Sequence, residues 1–516
     1  MLDGCDATPL LRLFARRRLA RLAVLDAALA QEQQLLELVR RAARTRFGRE
    51  HDFAGIHSVA DFQARVPLRR YEAFWREYWQ PAFPVLENVS WPGRIPMFAL
   101  SSGTTTGTTK YIPCTGAMLR ANTRAGLDLL CHHIHHRPQS RVLSGRTLML
   151  GGSSALVPLA AGVVAGDLSG ITAARIPWWS RRFQFPPLDV ALIEDWEDKV
   201  ARIAAMVVEN PGHIRALTGM PPWLMILFHH QAALMGLDLP RATHLFPNLD
   251  LLVHGGVNFA PYQRAFEAFL EGSQAELREV YPASEGFVAL ADEGPDDGLR
   301  LLVDNGLFFE FVPVDELDQA EPTRHWLGTI ETGVNYALVL SSCAGLFAYV
   351  LGDTIRVVSR TPPRVVVTGR TSYTLSAFGE HLIGEEIERA VATAAAATAT
   401  TVADWAVGAL YPDTDHHRGG HLYIVEFAGT TPEPTICAQF ASTLDATLAE
   451  YNDDYRTHRD HDFGLAAPRL HPAPAGSFAA WMKHRGRLGG QNKVPRVIND
   501  RALFDDLGAF VGVERD

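Results

Sequence analysis

Ser101 to Lys110 reads Ser-Ser-Gly-Thr-Thr-Thr-Gly-Thr-Thr-Lys: seven hydroxyls, two glycines and a terminal lysine in ten residues. Such a segment offers backbone N–H groups, O–H donors and one point charge to an anion, and its glycines permit the positive φ angles of a wrapping loop. The chemistry is that of a phosphate cradle, with Ser101, Ser102, Gly103, Thr104, Thr105, Thr106, Gly107 and Lys110 as its members. The P-loop has four residues between its glycines and a lysine directly after the second. Here Gly103 and Gly107 enclose three residues, and Lys110 comes three positions later. Helix-dipole binding does not enter, because Tyr111-Ile112-Pro113 continues as strand and a helix begins only near Thr115, a candidate N-cap. A flexible linker shares this composition, but linkers seldom lie between two apolar β-like runs and end in lysine.

Three later stretches supply matching chemistry. Gly255 and Gly256 close the run Leu251 to Gly256, and Tyr281-Pro282-Ala283-Ser284-Glu285-Gly286 follows a further strand. Both lie where α/β sheets bind ligands. The paired glycines let a flat base approach the backbone, Tyr281 can stack on it, and Glu285 offers a hard oxygen to the magnesium that accompanies a nucleotide. Tyr349-Val350-Leu351-Gly352-Asp353 puts a carboxylate in a turn, able to accept from both ribose hydroxyls, although a Gly–Asp turn also forms without a ligand. In the tail, Gly489-Gly490-Gln491-Asn492-Lys493-Val494-Pro495-Arg496, the Lys493 ammonium can serve as a mobile counter-charge to a phosphoryl oxyanion. Taken singly, a strand-end tyrosine is usually core, and a lone glutamate or C-terminal lysine is usually solvated.

The elements that must carry these residues alternate. Helical periodicity runs from Pro9 to about Arg49. Strand and helix then follow in turn from Ile95 to Tyr281, the expectation for a sheet layered by helices. Beyond Tyr281, short strands separated by Gly, Asp and Pro turns read as an antiparallel, barrel-like sheet. From Phe378 a third texture begins, with an Ala-rich helix, two strands and further helices. The expected fold is α/β: a large N-terminal domain over residues 1–370 with an antiparallel barrel-like subdomain, a hinge over 371–378, and a small mobile α/β C-terminal domain over 379–516.

The chain of 516 residues is 47% hydrophobic, enough for a large core, and its net charge of −10 argues against a nucleic-acid surface. Five scattered cysteines without CxxC spacing fit reduced thiols in a cytoplasm, and no apolar run reaches transmembrane length. The arginines between Leu10 and Leu29 are compatible with a transit peptide or membrane-surface helix, but the periodicity favours an amphipathic helix packed on the main domain. His132, His133, His135 and His136 do not share one helical face with a completing carboxylate or cysteine, so they read as solvated and not as a zinc site. The partners implied are small molecules, with no nucleic acid and no membrane, in a monomer or weak homo-oligomer.

Together and in this order the motifs resemble those of the adenylate-forming superfamily, and most closely the auxin-responsive-promoter family of acyl acid-amido synthetases. Supporting pieces include Arg46-Phe47-Gly48-Arg49-Glu50-His51 and Phe308 to Pro313. The resemblance implies a small C-terminal domain that swings over the site between two half-reactions. In the first, a carboxylic acid is joined to ATP with release of pyrophosphate; in the second, the acyl group passes to an amine, usually an amino acid. It places Ser102, Thr104 and Thr105 nearest the phosphates, Tyr281 and Ser284 beside the nucleotide, Glu285 on magnesium, Asp353 and Arg370 on the ribose, and Lys493 on the α-phosphate and acyl carboxylate. Plant members usually carry Arg on both sides of the tyrosine in the Gly-Asp motif and Lys after the hinge. This chain has Ala348 and Val350, then Gly379-Glu380-His381. His381 is a candidate acceptor for the ammonium proton in the second step. Rival readings are a ligase that passes its acyl group to a thiol such as coenzyme A, and a catalytically silent nucleotide-binding protein. An acid pocket is expected between the helix after the loop and Thr218 to Trp223, with Trp178 and Trp179 as walls.

Overall fold

The computed structural model describes residues 6–101, 110–151, 156–176, 180–193, 195–257, 259, 262–294, 297–370, 374–375, 377–380, 382–412, 418–428, 431–459, 464–485 and 494–513. The chain forms two compact units, the second running from Ser372 to Asp516. No helix among the described residues is long and apolar enough to cross a membrane.

The first unit is built on a twelve-stranded sheet. Its parallel half runs Gln184–Phe185, Arg146–Leu150, Ile214–Gly219, Leu251–Gly255 and Glu276–Ala283. Glu276–Ala283 then pairs antiparallel with Gly286–Leu290, and the ladder continues through Leu299–Leu301, Pro363–Arg370, Tyr349–Arg360, Asn335–Ser342, Leu307–Pro313 and His325–Trp326. The antiparallel strands expected as a subdomain are thus hydrogen-bonded to the layered part in one sheet. Tyr281 lies on the strand where the two halves meet.

A separate four-stranded sheet holds Met97–Ser101 and Lys110–Cys114 as an antiparallel pair, beside the hairpin Val157–Ala160 and Val163–Gly166. It rests on an aromatic core in which Phe74 stacks on Trp79 at 5.1 Å and Phe47 on Phe347 at 5.4 Å. The helix Gly116–His136 starts where Thr115 caps it: the hydroxyl accepts from the Met118 N–H at 3.1 Å and donates to the Cys343 carbonyl at 2.8 Å.

One expectation is refined and another corrected. The helical pattern from Pro9 to Arg49 is three helices, Thr8–Ala23, Ala27–Ala42 and Arg46–Glu50. Asp26 caps the second by accepting from the Leu29 N–H, and Thr45 caps the third, so periodicity persists through breaks that capping side chains impose. The histidines of Gly116–His136 are not all solvated either. His132 and His133 are buried, and His133 bonds Glu276 at 2.6 Å and Ser140 at 2.8 Å through its two ring nitrogens.

The second unit, taken by itself, carries a three-stranded sheet in the order Val402–Leu410, Gly420–Phe427, Arg469–Ala473. The helices Gly384–Ala397, Pro434–Tyr451, Ser477–His484 and Arg501–Val511 accompany it. Cys114, Cys131, Cys343 and Cys437 are free thiols.

Candidate functional site

Ser101 and Lys110 are register partners at the ends of their two antiparallel strands. Lys110 is buried, with its ammonium 5.2 Å from the centre of the Tyr71 ring. Tyr71 is itself fixed, because its hydroxyl oxygen accepts the Tyr111 N–H at 2.9 Å. The cation that ends the hydroxyl-rich sequence is therefore held on an aromatic face.

Ser284 and Glu285 form the two-residue tip of the hairpin between Glu276–Ala283 and Gly286–Leu290, in which Ala283 pairs with Gly286. Asp353 comes from Tyr349–Arg360, an unbroken strand and not the expected turn between two strands. Gly352, at φ +99°, absorbs a shift of register in this strand without ending it.

The two motifs are cross-linked. Tyr281 donates its hydroxyl to Asp353 at 2.5 Å, and Tyr349 donates to Glu285 at 3.2 Å. Each tyrosine thus holds the carboxylate of the other motif. Tyr349 is placed by the backbone: the Arg69 N–H donates to the Ala348 carbonyl, and the Val350 N–H donates to the Arg69 carbonyl, both at 2.9 Å. Burial pushes the Glu285 carboxyl above its ordinary value, and Asp353 adds to this, while Lys110 and the Tyr349 hydroxyl pull it back. Burial and the Glu285 charge raise the Tyr349 phenol well above its usual range, so it stays a donor. One buried ammonium and two carboxylates with tyrosine donors therefore face each other within one unit, at the switch point of the sheet.

The profile of the GH3 family N-terminal domain matches residues 21–275, that of its central domain residues 300–370, and that of its C-terminal domain residues 385–502. The chain belongs to the GH3 family. Among curated GH3 relatives, the indole-3-acetic acid-amido synthetase GH3.8 of Oryza sativa subsp. indica is 27% identical over 290 residues, covering 52% of this chain and 47% of the relative. The indole-3-acetic acid-amido synthetase GH3.3 of Arabidopsis thaliana is 24% identical over 287 residues, with the same coverage of 52% and 47%. The chain spans about half the length of these curated relatives. Its fold is similar over 96% of the chain to the GH3.15 acyl acid amido synthetase, covering 95% of that protein at TM-score 0.60 and 17% identity. A 2-hydroxyisobutyryl-CoA ligase, in complex with 2-HIB-AMP and CoA in its thioesterification state, is similar over 95% of this chain and 94% of its own at TM-score 0.58 and 16% identity. Both likenesses bear on the fold: a large mixed α/β sheet unit and a smaller C-terminal sheet unit.

Against this GH3 frame, Ser101 and Lys110 lie at strand ends, Ser284 and Glu285 at the hairpin tip, and Tyr281 and Asp353 within strands. Arg370 is the register partner of Asp353. Gly255 has a packing reason of its own, since a Cβ there would lie 2.2 Å from the Val280 carbonyl oxygen. Gly256 needs its φ of +90°. Ser102, Gly103, Thr104, Thr105, Thr106 and Gly107, His381, Lys493, and Trp178 with Trp179 lie outside the described residues.

Two residues were missed as site members. Tyr71 has no signal outside its contact with Lys110. Tyr349 has one, because Tyr281 and Tyr349 each stand four positions before an acid, Glu285 and Asp353. The departures from the plant GH3 pattern are core positions: Ala348 is buried with φ +48°, and Val350 is buried beside it. Glu380, after the expected hinge, is buried. It accepts the N–H groups of Ala377 and Phe378 at 3.0 and 2.8 Å and bonds His421 at 2.8 Å. In the tail, Arg496 pairs with Asp404 and lies 5.1 Å over Trp405, while the Ile498 N–H donates to the Val407 carbonyl at 2.8 Å. The chain is thus pinned to the second unit's sheet just after Lys493.

Among the described residues no group of three His, Cys, Asp or Glu could hold a metal together. Magnesium at a nucleotide takes one or two carboxylates and completes its shell with phosphates and water, so a single carboxylate at Glu285, held by Tyr349, fits that donor set.

Proposed function

We propose that this chain is an ATP-dependent ligase that adenylates a carboxylic acid, releases pyrophosphate, and transfers the acyl group to an amine, foremost an amino acid, to form an amide. The observation that supports this most is the crosswise pairing of Tyr281 with Asp353 and Tyr349 with Glu285 beside buried Lys110, in a chain of the GH3 family. In this reading Lys110 and the hydroxyls of 102–109 hold the phosphates, Asp353 and Arg370 the ribose, and Gly255, Gly256, Tyr281 and Ser284 the base. Glu285 holds magnesium, which when bound neutralises charge on the phosphates. The acid carboxylate attacks the α-phosphorus in line. Lys493 approaches with the second unit about a hinge at 371–378 and stabilises the charge that spreads onto the phosphoryl oxygens. His381 accepts the ammonium proton in the second step.

The test is a panel of carboxylic acids in pyrophosphate–ATP exchange, followed by mass spectrometry of products formed with amino acids or with coenzyme A. Acid-dependent exchange and an amide product are expected. The fold shared with a CoA ligase makes the thioester the rival outcome. No exchange with any acid would leave a catalytically silent nucleotide binder.

A further inference from the structure

A cavity of about 280 Å³ lies against the strands Arg146–Leu150 and Gln184–Phe185, on the Met149 side, enclosed in part by Ile176 and Ile203. Its described lining carries three cations, Arg146, Arg181 and Lys199, and no carboxylate. In a chain of net charge −10 this is a local reversal of sign, and low-dielectric walls concentrate the field of such a cluster.

Lys199 anchors the argument. It is only 2% exposed, on the helix Trp196–Glu209, and faces the cavity with Ile203 one turn further on. Burial lowers its ammonium to about 8, with Asp167 opposing the shift. Keeping an ammonium out of water is costly unless an anion compensates. Asp167 accounts for one charge, whereas Arg146 and Arg181 add two more cations to the same lining. Beside the polar Ser169 and Gln184, Met149, Phe185, Ile176 and Ile203 give the wall an apolar part, so the space suits an anion with an apolar body better than a bare phosphate. None of the nucleotide cluster lines it. Across the sheet, Ile214–Gly219 stands between Arg146–Leu150 and Leu251–Gly255, a separation of about 10 Å at the usual strand spacing.

We propose that this cavity binds a small organic carboxylate, its carboxylate against Lys199, Arg146 and Arg181 and its apolar body against Met149, Phe185 and Ile176, at a site separate from the nucleotide crevice. The acid that is activated must touch the α-phosphorus, so the ligand of this separate site is a distinct acid that regulates the enzyme.

The experiment is titration calorimetry of the full chain without nucleotide, using phenylacetate, the neutral phenylacetamide and inorganic phosphate as probes. Phenylacetate is expected to bind at least about tenfold more tightly than either of the others, and Lys199→Met is expected to abolish that preference. Arg181 is exposed, so Arg181→Gln keeps the test open if Lys199→Met does not fold, and it should cut the preference about fivefold. Equal affinity for acid and amide, phosphate binding as tightly as phenylacetate, or an undiminished preference in the folded variants would overturn the proposal. Where binding holds, exchange assays check that the site is separate: an unchanged KM for phenylacetate in Arg181→Gln, or no exchange with phenylacetate, is expected, and a raised KM would put phenylacetate on the path of the activated acid and overturn the separate site. Because binding is read without ATP, failure of the ligase reading leaves this result intact.

Discussion

The hydroxyl of Tyr349 lies 3.2 Å from Oε1 of Glu285, 64 positions away in the chain, and it is the donor on a carboxylate that burial would otherwise keep protonated more easily. That bond fixes the hairpin tip to the strand carrying Asp353. It gives an acid at a two-residue turn a set direction.

Removing the donor should show in the pH profile. The Tyr349 hydroxyl lowers the Glu285 pKa against burial, so Tyr349→Phe leaves the carboxyl higher still, and the acidic limb of kcat/KM for ATP moves to higher pH. Loss of one bond to a buried carboxylate is expected to cost about 1–3 kcal/mol of nucleotide-dependent stabilisation. A profile that does not move would separate Tyr349 from the chemistry.

Tyr281 and Asp353 should be coupled. Tyr281→Phe and Asp353→Ala are each expected to weaken ATP binding by about 5- to 30-fold, and the double variant to lose less than the sum, because each single change removes the same hydrogen bond. Fluorescence titration with a labelled nucleotide reads the cycle, and strictly additive losses would refute the coupling.

The N-terminal helix is docked by charge. Arg18 is buried between Asp128 and Asp304, with contacts of 2.7 Å to each. Arg18→Met leaves two carboxylates without their partner and should destabilise the first unit by about 3–5 kcal/mol in denaturant unfolding. Replacing Asp128 and Asp304 as well by apolar residues should recover part of that loss.

Buried imidazoles set an acid sensitivity. Burial lowers His132 and His254 from 6.5 to about 3, so between those values the unfolded chain binds the extra protons and stability is lost as pH falls. Two such groups imply about 2–3 kcal/mol lost between about pH 6.5 and about pH 5.5. His254 stacks on Phe259 at 3.8 Å and its Nδ1 has no hydrogen-bond partner among the described residues, so His254→Phe should keep the packing and remove about half of the slope. An unchanged slope in denaturant titrations would contradict the assignment.

Much of this was legible before any coordinates. The strand that begins at Lys110, the cap at Thr115, and the order of helices and strands through the parallel half follow from composition and local propensity, which act over a few residues. Tertiary partners were not legible. The sequence does not say that Glu276 and Ser140 meet His133, so four histidines on one helix read as solvated. Gly352-Asp353 read as a turn because a positive-φ glycine ends many strands, yet here it shifts register within one strand. The tyrosines escaped for the opposite reason: core burial is their ordinary fate, and only the matched spacing before Glu285 and Asp353 marks them as positioning groups.

The central claim is that Glu285, Lys110, Asp353 and Lys493 act on one nucleotide during acid activation. It is tested most directly by acid-dependent pyrophosphate–ATP exchange in the unaltered chain and in Glu285→Gln and Lys493→Ala, each checked for folding by circular dichroism. The account expects exchange in the unaltered chain with at least one acid of the panel, and a fall of about a hundredfold or more in each variant. Exchange at full rate in either folded variant would contradict it.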